Sequence, residues 1–195
     1  MSGDHIRLGH MPGLTQFFRL FSSGKHLNRV AEPVLWAELE REQAAYTSLF
    51  NSLGFELVFD ARGFAWFHTE DGSAATSKTT RQLALLFMVL FEFQADAGKP
   101  LLRFSDWVID KALINDVHEK NHDLLVAEEL DSEALLALLA TAERFGFTHR
   151  EAGQWRLLPA VCRYLDHFEE LALSGADEQA TDWLEANNTT PREGE

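Results

Sequence analysis

The chain has 195 residues, 46% of them hydrophobic and 11% aromatic, which is enough apolar material for one large core or two small ones. Its 31 acidic and 17 basic residues give a formal charge of −14. A chain of that charge is repelled by nucleic acid as a whole, so any phosphate contact must come from a local basic patch or a more basic partner. Fifteen Phe and five Trp exclude general disorder, and the single cysteine, Cys162, excludes an internal disulfide or a cysteine-built metal cluster. The first 25 residues show no signal-peptide pattern. The longest apolar run, Leu83–Phe91, has nine residues, against about 20 needed to span a bilayer. A cytoplasmic protein with no membrane partner is the expectation.

Residues 1–13 lack periodicity and read as a flexible N-terminus. Leu14, Phe17, Phe18 and Phe21 then mark one face of a helix that stops at Ser22-Ser23-Gly24. Pro33 opens a long helix with its apolar stripe on Leu35, Leu39, Tyr46, Leu49, Phe50 and Leu53, and Gly54 ends it. The next stretch reads as a hairpin, Phe55–Phe59 and Phe64–His68, joined by Asp60-Ala61-Arg62-Gly63. Residues 71–78 are polar and small, the clearest linker. A helix capped by Thr79 or Thr80 follows, through about Ala97. It is apolar almost all round between Leu83 and Phe91, so the run is either the spine of a second core or a subunit interface. Leu83, Leu86, Phe87 and Leu90 are the dimer-interface candidates.

After Gly98-Lys99-Pro100, Leu101–Phe104 is a strand candidate, and Ser105-Asp106 caps a helix from Trp107 to Leu113. Residues 114–130 hold another helical turn or two. Asp131 or Ser132 caps a strong helix, Glu133–Phe145, and Gly146 stops it. A second hairpin follows, Phe147–Arg150 and Gln154–Leu158 around Glu151-Ala152-Gly153, before Pro159 opens a last helix through Leu173. The tail 174–195 is acidic and polar, and its only large apolar residues are Trp183 and Leu184. A long helix, a Gly stop and a hairpin thus occur twice, roughly 90 residues apart, one small domain's length. That order is the winged-helix order. The fold class is mainly α with small β-hairpins (α+β), arranged as tandem winged-helix domains at 14–70 and 79–173.

His118-Glu119-Lys120-Asn121-His122 spells H-E-x-x-H, in which His at i and i+4 could share a zinc ion with Glu119 as general base. Zinc needs a third ligand placed by the fold, and neither Glu143 nor His149 lies in a second motif. The middle pair is Lys-Asn and the flanks carry Asp116 and Asp123, which suits a solvated segment better than a buried metalloprotease helix. The pattern is therefore a decoy, and no metal or cofactor is expected. Gly24-Lys25 and Gly98-Lys99 lack the upstream Gly and following Ser or Thr of a phosphate loop, and no G-x-S-x-G elbow occurs. Lys25, His26 and Arg29 follow the first helix, Arg62 sits at the first hairpin tip, and Lys78 and Arg81 begin the second half. These are the candidate DNA contacts, because wing tips and helix starts meet phosphate backbones. Arg144, His149, Arg150 and Arg156 form a looser group, diluted by Glu143 and Glu151.

Ser23-Gly24-Lys25-His26-Leu27, the helix after it, and Gly54-Phe55-Glu56-Leu57 with Arg62-Gly63-Phe64-Ala65-Trp66-Phe67 resemble the MukE/MksE family, the tandem winged-helix subunits of bacterial condensins. The similarity covers about residues 14–172 and is closer to MksE, for lack of a long insertion. It implies a non-enzymatic subunit that forms a homodimer, binds a kleisin (MksF- or MukF-like) and regulates an SMC-like ATPase (MksB- or MukB-like). It also implies DNA contact within the assembled, nucleoid-associated complex, serving chromosome segregation or plasmid defence. The rival readings are a stand-alone winged-helix transcription regulator, which the net charge disfavours, and an HExxH zinc hydrolase.

Overall fold

A computed structural model describes residues 8–68 and 74–172. The rest of the linker and terminal segments read above lies outside the described residues, including Trp183 and Leu184. The expected N-terminal fraying does not reach residue 13. Leu8–His10 forms a 3₁₀ turn, Met11 is buried, and the Gly13 N–H donates to Glu38 Oε1 at 2.7 Å.

The first half runs α1 (Leu14–Ser22), β1 (Leu27–Asn28), α2 (Pro33–Arg41), α3 (Gln43–Ser52), β2 (Glu56–Asp60) and β3 (Phe64–His68). α1 buries Phe17 and Phe21, while Phe18 is partly exposed, edge-on to Phe55. The single long helix expected from Pro33 is two helices, bent at Glu42 (φ −108°, ψ 26°). The bend has a local reason. The Tyr46 hydroxyl donates to Glu38 Oε1 at 2.5 Å, whereas eight residues of straight helix rise about 12 Å. Burial, then the hydrogen bond to Glu38, raises the Tyr46 phenol well above its ordinary pKa.

β2 and β3 form the expected hairpin, in antiparallel register Leu57↔Phe67 and Asp60↔Phe64. The short strand β1, which periodicity does not reveal, adds to the free side of β3, giving the order β1-β3-β2. Phe67 sits at the centre of this core, its ring 5.0 Å from Phe21, 4.9 Å from Phe50 and 5.0 Å from Phe55. Aromatic pairs at such spacings add to simple area burial.

The second half starts with α4 (Ala74–Asp96), whose first turn begins inside the expected linker. Leu101–Asp106 is a 3₁₀ segment, where a strand was expected at Leu101–Phe104. Pro100 at its start has no N–H for a ladder, and the Arg103–Asp106 ion pair closes the turn. The strand position falls instead to Ile109, which exchanges both backbone hydrogen bonds with Trp155 (2.9 and 2.8 Å). The helix expected at Trp107–Leu113 is displaced accordingly. Asp110, and neither Ser105 nor Asp106, caps α5 (Lys111–Lys120) by accepting the Leu113 N–H at 2.9 Å. α6 (His122–Ala127) follows, then α7 (Ser132–Arg144), capped by Asp131 as expected. β4 (Thr148–Glu151) and β5 (Gln154–Leu157) make the second hairpin, and Pro159–Val161 is a 3₁₀ turn.

The all-round apolar character of α4 has a simple origin: α5, α7 and the 3₁₀ segment all pack on it. Leu83 is 2% exposed, and Leu86, Phe87 and Leu90 are fully enclosed within this one chain. They are core residues, and the dimer-interface reading of these side chains is withdrawn. Met88 is the exposed side chain of that run, and Ala84 and Leu85 are half-buried.

The described residues through Val161 belong to one compact unit and residues 162–172 to a second. In the second, residues 162–172 are helical (α8), with the Tyr164 and Phe168 rings 6.4 Å apart.

Candidate functional site

Two groups of side chains bear on function: the basic residues around the first hairpin, and a buried polar bracket where the two halves meet.

At the first hairpin tip, Asp60-Ala61-Arg62-Gly63 closes with the Gly63 N–H donating to Asp60 O at 3.0 Å. Gly63 has φ +90°, the left-handed position that this loop length requires. Asp60 also accepts the Arg62 backbone N–H at 2.8 Å and holds the guanidinium from both sides, Nε–Oδ1 2.8 Å and Nη2–Oδ2 2.7 Å. Hydrogen bonding from Arg62 lowers the Asp60 carboxyl below its ordinary range, against a smaller opposing push from burial. Arg29 approaches Gly63 from β1, its backbone N–H bonded to Gly63 O at 2.9 Å and its side chain lying over the glycine. Arg29 is exposed and makes no ion pair among the described residues. The turn thus brings Arg29 and Arg62 together. Lys25 is turned toward Glu32 (3.0 Å), Lys78 is exposed, and Arg81 lies 3.4 Å from Glu128.

His26 leaves the surface group. It is 3% exposed, stacked near Trp66 and only 4.5 Å, centroid to centroid, from Phe147. Its Nδ1 faces Phe145 O at 2.9 Å, and since a carbonyl only accepts, that nitrogen carries the proton. The His26 backbone N–H donates to the same oxygen at 2.9 Å. Two residues on, Asn28 is 1% exposed and spends its whole amide on the joint. Nδ2 donates to Gly146 O (2.8 Å) and His26 O (3.3 Å), while Oδ1 accepts the Ala160 N–H (3.1 Å). Gly146 has φ +77°, and a Cβ there would stand 2.3 Å from His26 O. Gly146 is legible in the sequence only as a helix stop, and Asn28 is not legible as a joint residue. Its local sequence, a polar residue directly after an apolar one between two turn signals, is too common to mark it.

The H-E-x-x-H residues lie across a helix break. α5 ends at Lys120, Asn121 is bent (φ −109°, ψ 25°), and His122 opens α6. The two imidazoles sit edge to face at 5.6 Å, Glu119 is exposed, and His122 faces Asp123 at 3.4 Å. Among the described residues no three His, Cys, Asp or Glu side chains gather to hold a metal ion. Around the second hairpin, Arg150 stacks over Trp155 at 4.8 Å, Arg144 bonds Thr141, and Arg156 donates to Asp106 O at 3.2 Å. His149 is exposed on β4, paired in register with Arg156. No helix among the described residues is long and apolar enough to cross a membrane.

The molecule is a mainly helical protein carrying two small antiparallel sheets on fastened halves. The family model for condensin complex protein MksE matches residues 12–169, and the chain belongs to that family. No curated protein matches it in sequence.

Proposed function

We propose that this chain is a non-enzymatic accessory subunit of a bacterial condensin, built as tandem winged-helix domains over 14–70 and 79–173. It binds the kleisin and regulates the SMC-like ATPase in chromosome segregation or plasmid defence. The observation that carries the reading is the family match over residues 12–169. The architecture supports it: each half presents helices, a Gly stop and a hairpin. On this reading the chain forms a homodimer through surfaces other than the enclosed face of α4, and acts at the nucleoid in the cytoplasm.

DNA contact within the assembled complex falls to Arg29 first, then Lys25, Arg62, Lys78 and Arg81. Arg29 leads because its charge is unpaired by any described carboxylate, whereas Asp60 offsets Arg62. Affinity capture from the native host tests the assignment. Co-purification of an identified kleisin and SMC-like ATPase supports it, and their reproducible absence refutes it. A band-shift assay on the isolated protein separates the transcription-regulator reading, which requires tight, sequence-selective binding. The condensin reading expects weak, sequence-indifferent binding alone, and Arg29→Glu lowers DNA retention by the assembled complex.

A further inference from the structure

We propose that His26, Asn28 and Gly146 form a bracket that makes the two halves a single cooperative body and sets the position of the second hairpin. The segment from His26 to Asn28 is shared between two duties. Its backbone pairs with β3 of the first half, Leu27↔Ala65 and Asn28↔Phe64. Its polar groups reach elements of the second half, Phe145 and Gly146 between α7 and β4, and Ala160 beyond β5.

A slight parting of the halves leaves the Asn28 amide and the Ala160 N–H without their partners while both residues are still buried. Partial opening is therefore disfavoured relative to both the closed and the fully parted states. Sliding is blocked as well, because the Gly146 backbone lies against His26 O where no side chain fits. Phe147, the residue after Gly146, packs on His26 from one side and on Phe87 of α4 from the other, so the bracket continues into the core of the second half. Two adaptor modules joined only by a linker would open independently, whereas this joint couples the position of β4–β5 to the folding of β1.

Hydrogen exchange read by mass spectrometry on the full chain tests the coupling. In the wild type, the slowest amides of β2–β3 and of α7 and β4–β5 exchange through one common opening. Asn28→Ala speeds exchange in both sets together, by roughly ten- to a hundredfold. Acceleration confined to β1 and its immediate neighbours overturns the proposal. The wild type in graded urea gives the same test without a substitution: convergence of both sets on one opening supports the bracket, and separate limits for the two halves refute it.

Discussion

The two hairpins have the same place in their halves and differ in how they are held. The first has five residues on each arm, a third strand beside it and a glycine at the left-handed position of its turn. The second has four on each arm, the single bridge of Ile109 as its neighbour, and Ala152 at φ +50° in a turn where both central residues are left-handed. His149 and Arg150 are both exposed, on opposite faces of β4. The first hairpin is thus stabilised by its own sheet and aromatic core. The second owes more to what lies behind it: α4, α7 and the bracket from the first half. A repeated motif need not be repeated in its sources of stability.

The largest expected effect comes from the core that backs the weaker hairpin. Phe87→Glu places a carboxylate in the fully enclosed core beside Phe147, at a cost of about 4 kcal/mol or more. The expected outcome is loss of soluble, folded protein by circular dichroism; a folded monomer in good yield would return Phe87 to a subunit interface. Next is Gly146→Ala, which combines backbone strain with a clash against His26 O and lowers the urea unfolding free energy by about 2–4 kcal/mol. The same substitution at Gly54, also at positive φ but with open space around its Cβ position, meets only the strain, so the difference between the two measures the joint.

Ala152→Asn should narrow the gap between the hairpins. It fits the left-handed position better and raises stability by about 0.5–1 kcal/mol, read as an upward shift in Tm. The smallest effect concerns the first turn. Because Asp60 has a depressed folded-state pKa, its contribution is fully present above its unfolded value. It is lost as pH falls through the lower folded value. Asp60→Asn should flatten the stability profile below about pH 4, by no more than about 1 kcal/mol, since Arg62 is partly exposed. An unchanged profile would mean that the chelate contributes nothing.

Features with strong local chemistry were legible in the sequence. The first hairpin, α1, α7 with its Asp131 cap, the Gly146 stop and the second hairpin follow from periodicity and turn residues. The MksE likeness follows from the order of these elements. Features that depend on distant partners were not legible. β1 is too short to show a period and exists because β3 offers an edge. The bend at Glu42 goes with a tyrosine reaching back to Glu38. Ile109 takes the strand position because Trp155 pairs with it, while the more apolar Leu101–Leu102 stays outside. His26 looked like one of several surface cations, since nothing local to it reveals Phe145 or Phe147. The apolarity of Leu83–Phe91 was visible, but only the surrounding helices distinguish core from interface.

The bracket also has a bearing on synthesis. Its hydrogen bonds join residues 118, 119 and 132 positions apart in the chain. When β1 leaves the ribosome, the groups that will meet Asn28 and His26 have not yet been made, and the first half must collapse around its phenylalanines with that edge still wet. The last contact closed is then the one that joins beginning to end, so a nascent chain halted before residue 146 is released with its joint unmade.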